Sequence, residues 1–192
     1  LASELLRAEL DPIALHLSMN VRYIPGDKTL FQGIRRLPPG HILAISETGV
    51  SEQCFEQIDW TPDYSHSREY WTKGIRHNLR ESIRRQSLSD VPIGISLSGG
   101  IDSSTIVSMT GSQNRQETKT FTLGFNEPWD ETDDARFVAE HFGTKHNELV
   151  LEEPALKYYR DAVFFTEEPK VNCLQLYLLH RFISSHVKVV LS

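Results

Sequence analysis

A short run of small and polar residues, 98–104, carries the groups best suited to chemistry: Ser-Gly-Gly-Ile-Asp-Ser-Ser. Gly99 and Gly100 have no Cβ, so the backbone can approach a ligand closely there. The amides of a tight turn, followed by the first turn of a helix, form an anion site. The hydroxyl donors of this run are Ser98, Ser103 and Ser104. The 98–104 loop therefore predicts a phosphate cradle.

Asp102 needs a separate explanation, because a carboxylate repels phosphate. Mg²⁺ is commonly held by one or two carboxylates together with phosphate oxygens, so we interpret Asp102 as a magnesium ligand. The alternative is that Asp102 and Ser103 only cap the following helix. Gly26-Asp27-Lys28-Thr29 faintly resembles the end of the commoner Gly-Lys-Ser/Thr nucleotide loop, but Val21 stands where that loop requires glycine, and we interpret it as structural.

Alternating strands and helices must position this loop. Short runs rich in Val, Ile and Leu predict strands at 93–97, 119–125, 147–151 and 187–191. Amphipathic patterns predict helices at 103–112, 132–142, 154–166 and 174–186, and Gly143 fits a helix C-terminus. This order predicts an α/β fold, a Rossmann-like parallel sheet with helices on both faces. Such sheets bind ligands at the carboxyl ends of their strands.

The first third of the chain has a different pattern, and we predict a domain boundary between 1–60 and 61–192. Residues 1–17 have helical spacing interrupted at Asp11-Pro12, and a strand at 41–45 leads into a hairpin turn at 47–49, which is α+β material. A polar segment, 60–68, follows. A helix from Ser67, its N-cap, to Ser87 is predicted to face a core. Its apolar stripe is Trp71, Ile75, Leu79 and Ile83.

Composition excludes several classes of protein. The net charge of -6 argues against a broad nucleic-acid surface, and no apolar run is long enough for a membrane span. Cys54 and Cys173 form no C-x-x-C unit, so we expect two small packing residues and a reduced, cytoplasmic setting. His141 and His146 cannot form a metal pair on one helical face. We expect the three tryptophans to pack in the fold: Trp60, Trp71 and Trp129.

Several motifs together carry a family resemblance. The 98–104 loop resembles the SGGxDS pyrophosphate loop of PP-loop ATP pyrophosphatases, and Ser-Asp-Val-Pro-Ile-Gly before it resembles glutamine-dependent asparagine synthetases. Stretches similar to the end of that family's glutaminase domain are YIPG at 23–26, FQGI at 31–34 and LPPGH at 37–41. Later stretches in the family's order are FTLGF at 121–125, GTKH at 143–146 and KVVLS at 188–192.

The resemblance implies a two-step reaction. Aspartate and Mg-ATP would form β-aspartyl-adenylate and pyrophosphate, and ammonia released from glutamine would displace AMP. The implied pyrophosphate-binding residues are Ser98, Gly99, Gly100, Ser103 and Ser104, with Asp102 on Mg²⁺. The implied neighbours of the adenosine are Ser96, Leu97 and Leu123, and Ser192 would also touch ATP. The catalytic residues are unknown and expected largely outside this chain, whose cofactors would be ATP and Mg²⁺.

Departures from the family pattern leave alternatives open. The N-terminal cysteine nucleophile is absent and Cys54 is not its substitute, so we expect an internal fragment that is inactive alone. The acceptor could be another carboxylate, as in β-lactam synthetases or lasso-peptide cyclases. Two other hypotheses are a tRNA-modifying PP-loop enzyme and a non-catalytic nucleotide-binding module. Residues 167–172 would lie near the acceptor or form an acidic turn. We expect small-molecule partners, no nucleic acid and no membrane, and a homodimer stays open.

Overall fold

The computed structural model describes residues 7–110, 117–167, 170 and 172–192. Two compact units make up the chain, Leu1–Asp63 and Tyr64–Ser192, and the division falls within the polar segment 60–68. No helix in these described ranges is long and apolar enough to cross a membrane.

In its described residues, 7–63, the first unit has one helix, one hairpin and a small core of Ala14, Ile24 and Leu30, to which the hairpin does not contribute. Helix α1 (Pro12–Val21) begins where Asp11 Oδ1 accepts hydrogen bonds from the amides of Ile13 and Ala14, at 2.9 and 3.0 Å. The predicted helix over 1–17 is wrong for residues 7–10, since Leu10 instead forms an antiparallel bridge with Phe31. Strands β1 (His41–Ser46) and β2 (Gly49–Cys54) form the predicted hairpin.

The second unit is the predicted α/β fold. Its first half is α2 (Arg68–Gln86), β3 (Ile93–Ser96), α3 (Ile101–Met109), β4 (Lys119–Gly124) and α4 (Thr132–Phe142). Its second half is β5 (Lys145–Val150), a 3₁₀ turn (Ala155–Tyr158), α5 (Tyr159–Thr166), α6 (Cys173–Ser184) and β6 (Val189–Leu191). The four strands are parallel, in the order β5-β4-β3-β6.

Helices cover both faces of this sheet, as the sequence predicts. On one face Ile95 and Leu97 are buried against Val107 of α3 and Ala135 and Ala139 of α4. The core on the opposite face consists of Phe121 on β4, Ile183 on α6 and Val187. The first core takes Ile95 from β3 and the second takes Phe121 from β4. Because neighbouring residues of a strand point to opposite faces, β6 contributes to both, with Leu191 packed against the first core and Val190 against the second.

Predicted boundaries hold best where a capping residue marks them. Helix α4 has the predicted bounds and ends at Gly143, whose φ of 69° is left-handed. Ser67 caps α2 through a hydrogen bond from the Tyr70 amide. Helix α3 starts two residues before the predicted position, and residues 111 and 112 lie outside the described residues. The segment predicted as one helix over 154–166 is a 3₁₀ turn followed by α5.

Three packing expectations are wrong. No residue of α2 is buried, and Ile75 on its apolar stripe is 59% exposed, because within the described residues only α3 packs closely beside this helix. Trp60 in the polar segment and Trp129 in the loop after β4 are 82% and 75% exposed, since neither lies within a core-forming element. Cys173 is buried in α6 as expected, whereas Cys54 at the hairpin end is exposed.

A polar cluster ties α4 to the edge strand β5. Arg136 donates two hydrogen bonds to the carboxylate of Glu148, at 2.9 and 2.7 Å. His146 Nδ1 lies 2.9 Å from Thr120 Oγ1, and its Nε2 lies 3.2 Å from Glu148 Oε1 without hydrogen-bond geometry. Burial lowers the pKa of His146 below 6.5, and hydrogen bonding to Arg136 lowers the pKa of Glu148 below 4.5.

This cluster predicts a stability that falls in acid in two stages. Burial favours the neutral form of His146, so its contribution to stability is complete above 6.5 and is lost as pH falls through the lowered folded-state pKa. The contribution of Glu148 is complete above 4.5 and is lost as pH falls through its lowered pKa. Urea midpoints should be measured from about pH 8 down to about pH 2, so that the series passes through both lowered pKa values. His146→Gln should remove the first stage of the loss, and Glu148→Gln should remove the second. The control His141→Gln, on the exposed side of α4, should keep both stages; an unchanged curve in both cluster variants would contradict this assignment.

Candidate functional site

The 98–104 loop lies at the point where the strand order of the sheet reverses. From β3 the chain passes through α3 to β4 on one side, and it later returns to β6 on the other side. A crevice opens at the carboxyl ends of the strands at such a switch point, where open α/β sheets bind ligands. Ile95 is paired with Leu191, so Ser192 leaves β6 beside Ser96 and the start of the loop.

Hydrogen bonds within the loop hold its shape. The Ser98 amide donates to Ser103 Oγ at 3.2 Å, and the two hydroxyl oxygens lie 3.1 Å apart. Ser103 Oγ also donates to the Gly100 carbonyl, at 3.2 Å, and the Gly100 amide donates to Ser98 Oγ, at 3.3 Å. Ser98 and Ser103 therefore fix the backbone of the loop, a role that the sequence alone did not assign to them.

Gly99 is required by packing rather than only by close ligand approach. Its φ is 79°, and a Cβ there would stand 2.5 Å from the Cβ of Asp134 and 2.8 Å from the amide nitrogen of Ala135. The loop is thus pressed against the first turn of α4. At Gly100 a Cβ would meet Ser98 Oγ at 3.3 Å, and the φ of -65° suits any residue.

The start of α3 is left open to an anion. Gly100 is its N-cap and no side chain caps the helix, so the alternative of Asp102 and Ser103 as capping residues is wrong. The first amides of a helix have no partner within it, and they lie at the positive end of the helix dipole. Ser104 Oγ is buried and has no hydrogen-bond partner among the described residues. This combination of open amides and a buried, unpaired hydroxyl fits a phosphate.

A cavity of about 220 Å³ opens beside the loop, between the ends of β3 and β4 and helix α6. It is lined by four of the predicted site residues, which are Ser96, Leu97, Ser98 and Leu123. The side chain of Leu97 belongs to the core below α3 and α4 and is 1% exposed. The predicted grouping of these residues at one end of the sheet is present in the fold, and their roles stay predictions.

Asp102 lies apart from that cavity. Its side chain is exposed and lines a groove between α2 and α3 together with Ile75, Arg76 and Leu79. No group of three or more His, Cys, Asp or Glu side chains among the described residues could hold a metal ion by itself. Magnesium at Asp102 would therefore need phosphate oxygens as its other ligands.

The second unit of the chain matches a known protein family over most of its length. The family described as "Asparagine synthase" matches residues 74–192. This chain belongs to the asparagine synthase family. The resemblance stated from the motifs is thereby confirmed, and the matched segment of the family contains every predicted site residue from Ser96 to Ser192.

Individual relatives of this asparagine synthase family chain are longer than it is. The amidase chyE of Penicillium rubens is 33% identical over 162 residues, covering 74% of this chain and 24% of that protein. Asparagine synthetase [glutamine-hydrolyzing] 1 of Bacillus subtilis is 28% identical over 189 residues, 96% of this chain and 30% of that protein. The amidase chry2 of Gibberella zeae is 29% identical over 161 residues, which cover 73% of this chain and 24% of that protein. The chain thus spans 24% to 30% of the length of these relatives.

In this member of the asparagine synthase family, the fold also brings to the site residues that the sequence analysis did not predict. Asn172 and Gln175 enter the cavity from the start of α6, and Phe125 and Glu131 enter it from the loop after β4. The order of elements could have predicted the contribution of α6, because a helix that precedes a parallel strand begins at the carboxyl edge of the sheet. Residues 168, 169 and 171 of the stretch expected near the acceptor lie outside the described residues.

Proposed function

We propose that the protein is an ATP-dependent carbon–nitrogen ligase of the glutamine-hydrolysing asparagine synthase type. The observation that carries this proposal is the open start of α3, where the buried Ser104 Oγ has no partner, at the switch point of the sheet. Membership of the asparagine synthase family supports it. Residues 1–60 would then be the end of a glutaminase domain, and residues 61–192 the first part of the synthetase domain.

The phosphates and the adenosine of the nucleotide would bind in two neighbouring parts of the site. The phosphates would bind the amides of the 98–104 loop and Ser104 Oγ, and the adenosine would enter the cavity beside Ser96 and Leu123. Magnesium, held by Asp102 and phosphate oxygens, would offset negative charge. This offset matters because a carboxylate must attack a phosphate that is itself negative. Aspartate would become β-aspartyl-adenylate with release of pyrophosphate, and ammonia would displace AMP.

A second candidate differs in the acceptor. Two relatives of this chain are named amidases, and they are 33% and 29% identical to it. The same adenylation chemistry could then act on a carboxylate other than that of aspartate. The cavity beside the loop would serve both candidates equally, since it would hold the nucleotide and not the acceptor.

Pyrophosphate release by the full-length protein tests both candidates. With Mg-ATP and ammonium, release should depend on the carboxylate supplied: aspartate for the first candidate, another carboxylic acid for the second. In Ser104→Ala, we expect about a tenfold weaker ATP affinity, the loss of about one hydrogen bond to a charged group, with stability unchanged or raised because the hydroxyl has no partner.

The matched control is Ser103→Ala, which removes the hydrogen bonds from Ser98 and to Gly100. That variant should lower the unfolding free energy by about 1 kcal/mol as well as ATP affinity. An absence of ATP binding and of pyrophosphate release with every carboxylate would overturn the proposed function. Equal ATP affinity in Ser104→Ala and wild type would remove Ser104 from the site.

A further inference from the structure

The cavity beside the 98–104 loop has the size of part of a ligand. Sites that enclose a whole small molecule usually measure about 300–1,000 Å³, whereas this cavity measures about 220 Å³. Its walls are mainly apolar, with Phe121, Leu123 and Leu179 among them. A flat aromatic ring suits such a space, and the phosphates of the same molecule would extend to the start of α3.

Few side chains in this cavity can form hydrogen bonds with the edge of an aromatic ring. Ser96 and Ser98 lie at the loop side, and Glu131, a carboxylate, can only accept hydrogen bonds when ionised. On the α6 side the polar groups are the amides of Asn172 and Gln175. The side chains of both residues are exposed and make no hydrogen bond within the described part of the chain, so both amides are available to a ligand.

The position of Gln175 supports a role at the ring edge. It sits in the first turn of α6, next to Leu176, which also lines the cavity. An amide offers one donor and one acceptor side by side. That pair matches the N7 acceptor and N6 amino donor of adenine, whereas guanine presents two acceptors, N7 and O6, at the same edge.

We propose that Gln175 reads the N6–N7 edge of adenine and makes the site prefer ATP to GTP. This inference rests on the proposed function, in that a nucleotide must bind at this end of the sheet. It adds a residue that selects the base, supplied by a helix remote in sequence from the phosphate loop. Gln175 contacts the base and not the reacting atoms, so its removal should change affinity for ATP and leave turnover at saturating ATP nearly intact.

The test compares three nucleotides on wild type and Gln175→Met in the full-length protein. Calorimetry should show about tenfold weaker binding of GTP and of 7-deaza-ATP, which lacks the N7 acceptor, than of ATP to wild type, since each loses about one hydrogen bond. In Gln175→Met, a near-isosteric apolar variant, ATP should bind about as weakly as 7-deaza-ATP. The control Gln86→Met, at the end of α2, should bind all three as wild type does.

The outcomes separate the inference from the proposed function. ATP binding with no penalty for 7-deaza-ATP, or with the same penalty in Gln175→Met, would overturn the inference and leave the proposed function standing. A failure of wild type to bind any of the three nucleotides would overturn both. A Gln175→Met variant that binds ATP normally but turns over slowly would also count against the inference, because it would place Gln175 in the reaction rather than at the base.

Discussion

Replacing Gly99 by alanine will destabilise the protein by about 2–5 kcal/mol, and we expect this to be the most damaging single change in the 98–104 loop. The φ of 79° alone costs a side-chain-bearing residue about 1–2 kcal/mol. The new Cβ would also stand 2.5 Å from the Cβ of Asp134 and 2.7 Å from its backbone carbon, atoms that cannot move aside without shifting α4.

Gly100→Ala is the matched control for this prediction. Its φ of -65° is ordinary, and its Cβ would meet only Ser98 Oγ, at 3.3 Å. That substitution should cost about 1 kcal/mol or less, the usual cost of a poorer N-cap. Urea unfolding of the two variants beside wild type measures the difference. Equal stability of the two variants would show that the loop is not pressed against α4 as described.

The sequence predicted the layers of the second unit because burial on both faces leaves a strong pattern. Short apolar runs such as the one at 93–97, separated by amphipathic helices, indicate strands covered on both sides, and Gly143 and Ser67 marked two helix ends by their capping chemistry. The 98–104 loop could be singled out for a related reason. Consecutive glycines between a strand and a helix have few structural uses. The predicted strand before them and the predicted helix after them both supported the prediction of a ligand-binding loop.

The errors share a physical cause, which is that periodicity shows where a side chain points and not what covers it. The stripe of Trp71, Ile75, Leu79 and Ile83 has the spacing of a buried helix face. In the described residues Trp71 is exposed, and Ile75 and Leu79 line an open groove beside α3. Gln175 was missed for the complementary reason. It is an exposed polar residue, and only the order of strands and helices brings α6 to the cavity beside the loop.

Replacing Asp102 by asparagine is the variant that decides the metal question, and it should lower pyrophosphate release about 100-fold or more if the carboxylate binds magnesium. Asparagine keeps the shape of the side chain and removes its charge. Because Asp102 is exposed in the first turn of α3, the change should cost only about 0.3–1 kcal/mol of stability, through the lost interaction with the helix dipole.

The matched control is Asp161→Asn, which removes an acid from the first turn of α5 and loses the same kind of dipole interaction. It should leave release unchanged. A magnesium titration separates the two roles open to Asp102, which in this fold lines the groove next to α2 rather than the cavity. As a metal ligand, its replacement raises the magnesium concentration needed for half-maximal release. As part of the groove wall alone, its replacement leaves both that concentration and the maximal rate at their wild-type values, and the magnesium assignment would then be wrong.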